Sequence, residues 1–285
     1  MHLMSRTLLA GFLAAASAVA AADPAPATVN DLRTPESVLV LRDGTLFISE
    51  IGEFGKDGDG AIVRIKDGVR SVYATGLNDP KGLAERGGIL YVADKDHVMM
   101  VKPDGTVKPF LTPDQFPRRP QFLNDLAFDM NTILYISDSG DIQKGGGGAV
   151  FRATPDGRVH LIADGSISPH VQSPNGLSTV VKGYLLVVDF ATGELYRVRL
   201  RDFLIEPVAD GFGGGDGIAM AGTKLFISDW KGGRLWSLDI TAPGAKPMLV
   251  KEGFAASADI EATPDGDWIL VPEMKGGRLV AVPAN

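Results

Sequence analysis

Gly44-Thr45-Leu46-Phe47-Ile48-Ser49-Glu50, an apolar run closed by a carboxylate, decides the fold, because the chain repeats it five more times. The copies are GILYVAD (88–94), TILYISD (132–138), GYLLVVD (183–189), TKLFISD (223–229) and DWILVPE (267–273). Their last residues, Glu50, Asp94, Asp138, Asp189, Asp229 and Glu273, are spaced 44, 44, 51, 40 and 44 apart. Upstream of each acid lies a second element: PESVLV, PKGLAE, LNDLAF, PNGLST, GDGIAM and ADIEAT. Downstream lies a third, GAIVRI, VMMVKP, GAVFRA, GELYRV, GRLWSL and GRLVAV, and in five units a fourth, SVYAT, VKPFL, VHLIA, EPVAD and PMLVK. Four short strands in a unit of 40 to 50 residues is the signature of a propeller blade. The expectation is an all-β, six-bladed β-propeller with four antiparallel strands per blade and almost no helix. The sixth unit lacks a fourth strand, and residues 27–33 (ATVNDLR) are free to supply it, which would leave no open sheet edge.

Outside the repeats, residues 1–22 read as a cleaved signal peptide: a short basic start, an apolar run from Thr7 to Ala20, and small residues at the cleavage point. That leaves a single domain over 23–285, expected in the periplasm or secreted. No other apolar run approaches 18 residues, so no membrane association is expected after cleavage. The chain has no cysteine, which rules out a disulfide or a lipoprotein anchor. Its 35 glycines and 18 prolines suit many turns. Without Arg6, 27 basic residues face 35 acidic ones, a net charge of −8, which argues against a nucleic-acid partner. A small-molecule substrate and a monomer or weak dimer are expected.

The first strand of each blade lines the central channel. The residue just ahead of its apolar part is, in order, Glu36, Lys81, Asn124, Asn175, Asp216 and Asp259. All six are polar at one register, so they would meet around one axis. Pro-Asn-Gly (174–176) and Gly-Asp-Gly (215–217) also read as turns. Three crowded carboxylates would repel one another, and a divalent cation with Lys81 would neutralise them. Carboxylate and amide oxygens are hard donors that suit Ca²⁺, with Mg²⁺, Mn²⁺ or Zn²⁺ as alternatives. Zinc comes last, for want of Cys and His donors.

Glu36, the Asn-Asp of 124–125, the Pro-Asn-Gly of 174–176 and the Asp-Gly of 216–217 resemble the gluconolactonase–regucalcin family. That family includes senescence marker protein and the luciferin-regenerating enzyme. The resemblance covers the whole mature chain. It implies a six-bladed propeller carrying one divalent ion, with many members hydrolysing sugar lactones. It further implies Glu36, Asn175 and Asp216 as metal ligands, and Asn124 as a ligand or a contact to metal-bound water and substrate. Lys81 and Asp259 in the ring resemble a divergent periplasmic branch, and two departures from the family pattern point away from a polar sugar acid as substrate. Phe122 stands where the lactonases commonly carry Arg, and Glu-Ser (36–37) replaces Glu-Gly-Pro.

The expected chemistry is metal-assisted opening of a lactone or related cyclic ester. Asp216 or Asp259 would act as base, with Lys81 orienting Asp259, adding charge at the oxyanion, or serving only as counter-ion. On the substrate side stand Asn124, Phe122, Arg119 and the loop residue His170, with Phe54, Phe116 and Ile142 as further apolar walls. The alternative is a non-catalytic binding propeller with a structural metal.

Overall fold

The computed structural model describes residues 25–242 and 244–285, so the expected signal peptide lies outside the described residues. Five antiparallel four-stranded sheets and one three-stranded sheet follow one another in sequence order. The innermost strands are Pro35–Val40, Pro80–Arg86, Leu123–Phe128, Pro174–Ser178, Gly215–Ala221 and the two-residue Glu261–Ala262. Each touches the next, and the last touches the first, closing a six-bladed propeller. The only helical element among the described residues is a 3₁₀ turn at Pro113–Gln115.

Both faces of each blade pack on a neighbouring blade, so the second strands are buried at successive positions instead of alternating, while outer strands such as Met248–Glu252 stay exposed. Leu134–Asp138 is buried at every position. Six clusters of buried side chains fill the six seams between blades. Phe151 and Leu111 meet in one, Tyr196 and Ile162 in the next. A fully buried Leu or Phe contributes about 2–3 kcal/mol in such a seam. The seam between blades six and one holds Leu32, Val38 and Leu279. There Val29 pairs with Leu279 through two backbone hydrogen bonds of 3.0 and 2.9 Å. The expected closure by residues 27–33 is thus made by Val29 and Leu32, as a bridge instead of a full strand.

The repeated acids hold the blade together. Each sits at the end of its blade's second strand and accepts backbone N–H groups from the loop leading into the inner strand. Asp138 takes Phe122 N at 2.8 Å, Asp189 takes Ser173 N at 2.7 Å, and Asp94 takes Asp79 N at 2.8 Å. Asp229 takes Gly214 N at 2.8 Å, Glu273 takes Ala255 N at 2.9 Å, and Glu50 takes Arg33 N at 3.1 Å. A charged acceptor on buried amides is worth about 1.5–3 kcal/mol, which explains why the position is always acidic.

Two turn readings do not hold. Pro174–Ser178 and Gly215–Ala221 are inner strands. Gly176 and Gly217 are needed there because the next inner strand runs against them. A Cβ on Gly217 would stand 2.5 Å from Ile260 N, and one on Gly82 would stand 2.5 Å from Asp125 Cα. Glycine answers to close approach of backbones here, not to turn geometry.

Candidate functional site

A β-bulge sets the direction of each ring residue. In blade one, Pro35 pairs with Glu50 and Val38 with Ile48, leaving Glu36 and Ser37 opposite Ser49 alone. The same slip falls at Lys81, Asn124, Asn175 and Asp216. Two residues facing one bends the strand and re-aims its side chains. The displaced amide finds a serine hydroxyl in three blades. Ser37 N donates to Ser49 Oγ at 2.9 Å, Asp125 N to Ser137 Oγ at 2.8 Å and Gly217 N to Ser228 Oγ at 2.8 Å. Blade six differs. Pro272 stands where those serines stand, the corresponding amide of Ile260 donates to the Asp259 carboxylate, and Asp259 N donates to Glu36 O at 2.9 Å across the seam to blade one.

Glu36, Lys81, Asn124, Asn175 and Asp216 form the floor of a funnel of about 370 Å³. Asp259 sits behind that floor, its Oδ2 accepting Ser37 Oγ–H at 2.6 Å. Two residues further along each inner strand, Val38, Leu83, Leu126, Leu177 and Ile218 are buried in the seams between blades. The residue at that position in blade six is Glu261, whose Oε1 accepts Ala262 N at 3.0 Å.

The ring is electrostatically strained. Burial raises the Glu36 carboxyl well above its usual range, and Asp216 and Asp259 push it further. Burial also raises Asp216, with Asp259 adding to the effect. Asp259 is pushed up to about 7 by burial, against the opposing Ser37 hydrogen bond. Asp125, absent from the sequence-derived ring, is a fourth buried carboxyl raised by burial and by Asp259. Its oxygens accept Leu126 N and Leu177 N at 2.6 Å each, tying blade three to blade four. The Asn-Asp pair at 124–125 was visible in the sequence, but the cross-blade partner was not.

Lys81 is fully buried, and burial lowers its ammonium pKa against the pull of Glu36. Its Nζ donates to Asp79 O at 3.0 Å and lies 4.3 Å from the centre of the Phe122 ring. Among the described residues no carboxylate stands within ion-pair distance of it, so of the three alternatives for Lys81 the one that orients Asp259 finds no direct ion pair.

Three buried oxygens in the ring lack any hydrogen-bond partner: Glu36 Oε2, Asn175 Oδ1 and Asp216 Oδ1. Asn124 Nδ2 donates to Ser139 Oγ at 3.1 Å, orienting the ring's other amide. Unpaired buried acceptors on residues lining one cavity are what a hard cation would satisfy, so the donors present fit a divalent metal. Among the described residues no group of three His, Asp or Glu side chains forms a metal cluster. The set therefore depends on two carboxylates supplemented by amides.

The funnel walls are apolar: Ile51, Phe54, Phe122, Ile142, Phe190, Trp230 and Met274. Phe54, Phe122 and Ile142 were expected. Phe116 is not among them; it packs in the blade-three core, 5.1 Å from Phe151. Arg119 and His170 do not line the funnel either. Arg119 pairs with Asp96 at 3.1 Å on the exposed surface, and His170 Nδ1 meets Glu194 at 2.8 Å. Surface carboxylates hold both away from the axis. The walls that went unread share one register, since Ile51, Ser139, Phe190, Trp230 and Met274 each directly follow a repeated acid. That position was a second ring legible in the repeat.

No protein-family model matches the chain, and no curated protein matches it.

Proposed function

We propose that this propeller is a metal-dependent hydrolase that opens a lactone or related cyclic ester in its central funnel. The observation that carries the reading is the set of orphaned buried oxygens on Glu36, Asn175 and Asp216 beneath an apolar-walled cleft. Those three residues and Asn124 would hold the ion, Ca²⁺ being the best match for all-oxygen donors. When bound, the ion supplies a Lewis acid that polarises the ester carbonyl. The protein side chains do the rest. Asp216 lines the funnel; with one carboxylate oxygen given to the ion, its other oxygen would take the proton of the attacking water. Asp259, behind the floor and bonded to Ser37, is not positioned to meet a substrate. Lys81 keeps a positive charge beside the floor for the developing oxyanion, anchored by Asp79 O and the Phe122 ring. The wall residues exclude water and favour an apolar acyl portion over a polyhydroxylated sugar. Periplasmic or secreted export, by the expected signal peptide, belongs to the same proposal.

The test is an assay of γ- and δ-lactones and aryl esters on chelated protein to which Ca²⁺, Mn²⁺ or Zn²⁺ is restored. Metal-dependent turnover of at least one cyclic ester is expected. Stoichiometric metal binding with no turnover on any of them would leave a binding propeller with a structural ion.

A further inference from the structure

The funnel does not end at its own rim. A side groove of about 840 Å³ shares Phe54, Trp230 and Met274 with it as a common wall. The two are thus one cleft that turns over an aromatic shelf. Trp230 is fixed on that shelf from three sides. Its Nε1 donates to Met274 Sδ at 3.4 Å, its ring lies 6.1 Å from that of Phe190, and Lys275 Nζ stands 4.4 Å from its centre.

Charge along this cleft is uneven. The chain carries a net −7, and the floor is acidic. The groove is lined by Arg33, Lys56 and Lys275 against Glu53 and Asp59. Arg33 and Lys56 are spent on those acids, with Arg33 3.3 Å from Asp59 and Lys56 3.5 Å from Glu53. Among the described residues Lys275 has no carboxylate within 4.0 Å, so the groove keeps one uncompensated positive charge, on the aromatic shelf. Lys231, 4.2 Å from the Phe190 ring and bonded to Phe190 O, lines neither the groove nor the funnel, so Lys275 is the one free positive charge among the groove's lining residues.

We infer that the cleft takes an amphiphilic monoanion, an aliphatic or aryl carboxylic acid derivative, with its apolar body on the Trp230–Phe54–Met274 shelf and its carboxylate against Lys275. One free positive charge matches one negative charge; a phosphate dianion would ask for two. The Lys275 side chain is exposed, with its ammonium 4.4 Å from the centre of the indole, so an incoming carboxylate meets it at the edge of the apolar shelf. In the metal-free protein the acidic floor repels the same carboxylate, which keeps it at the Lys275 end of the cleft. The inference deepens the hydrolase reading, on which it rests for naming this molecule a substrate; the binding itself needs no turnover.

Isothermal titration of the chelator-treated full-length mature protein with decanoate, decan-1-ol and decyltrimethylammonium tests it, alongside Lys275→Glu and Lys275→Ala. Decanoate is expected to bind at least tenfold tighter than either other probe. Lys275→Glu should weaken decanoate at least tenfold, Lys275→Ala about threefold to tenfold, and both should leave decan-1-ol within twofold and the melting temperature unchanged. Equal affinity for the three probes, or undiminished decanoate binding by Lys275→Glu, overturns the inference. Metal-dependent lactone turnover without any preference for carboxylate-bearing ligands sinks the subsite and spares the hydrolase. Lys275-dependent decanoate binding without turnover of any ester does the reverse.

Discussion

Ser37 Oγ donates to Asp259 Oδ2 at 2.6 Å, joining the first and last inner strands across 222 residues of sequence. This bond, with Asp259 N to Glu36 O, ties the ring shut at its axis while Val29 and Leu279 tie it at the periphery. Ser37→Ala removes a buried donor to a carboxylate, and a loss of about 1.5–3 kcal/mol is expected. Urea unfolding would show it as a lower midpoint with an unchanged m value. An unaltered midpoint would mean that Asp259 is held by its backbone alone.

Leu32→Ala probes the outer half of the same closure. Leu32 is buried in the seam between blades six and one, and its N–H donates to Gly277 O at 2.9 Å. A loss of about 2–4 kcal/mol is expected from the cavity and the lost burial. Differential scanning calorimetry would register it as a lower melting temperature.

Glu36→Gln separates catalysis from folding. The substitution removes one member of a set of mutually repelling carboxyls, so the metal-free protein should melt at the same temperature or higher. Metal content after dialysis should fall below one equivalent. Turnover should drop by at least about 100-fold, the scale of a lost electrostatic contribution to the transition state. A large fall in melting temperature with metal retained would make Glu36 a structural residue.

Lys81→Met replaces a buried, unpaired ammonium with an apolar chain of similar length. Such exchanges are commonly neutral or stabilising, and here a gain of up to about 1 kcal/mol is expected because Asp79 O loses its donor at the same time. Turnover should fall at least tenfold. Thermal melts and kcat measured on one preparation would distinguish this from a structural role, in which both would fall together.

Glu261 gives the pH dependence. Burial pushes its carboxyl up to about 8 in the folded protein, whereas the unfolded chain loses that proton near 4.3. Between those values the folded state binds the extra proton, so stability is greatest below the lower one and declines as pH rises towards 8. Glu261→Gln cannot ionise, so the stability difference between variant and wild type should grow with pH, by on the order of 2 kcal/mol from pH 5 to 8. Denaturant titrations on chelated protein at several pH values would measure it. A difference independent of pH would place that carboxyl in water.

Much of this site was legible because the repeat is. Six acids at near-constant spacing fixed the blades, and counting back from them located Glu36, Lys81, Asn124, Asn175 and Asp216 on one floor. The same count placed Asp259 in that ring, yet it lies behind it. Blade six is the blade the chain closes on itself, and its Pro272 stands where three other blades carry a serine, so symmetry fails there. Arg119 and His170 were read from loops, where no register constrains direction, and local carboxylates hold them outside the funnel.

The sequence by itself determined the blade number, the strand order and the polar register, since each follows from residues repeated within one unit. Only the tertiary structure decided which polar groups share a cavity, which of them lack partners, and that Lys275 looks onto Trp230 without a carboxylate beside it. Those are relations between blades, set when six units close around an axis. Strand periodicity within one unit carries no information about the side chain that meets it from the next.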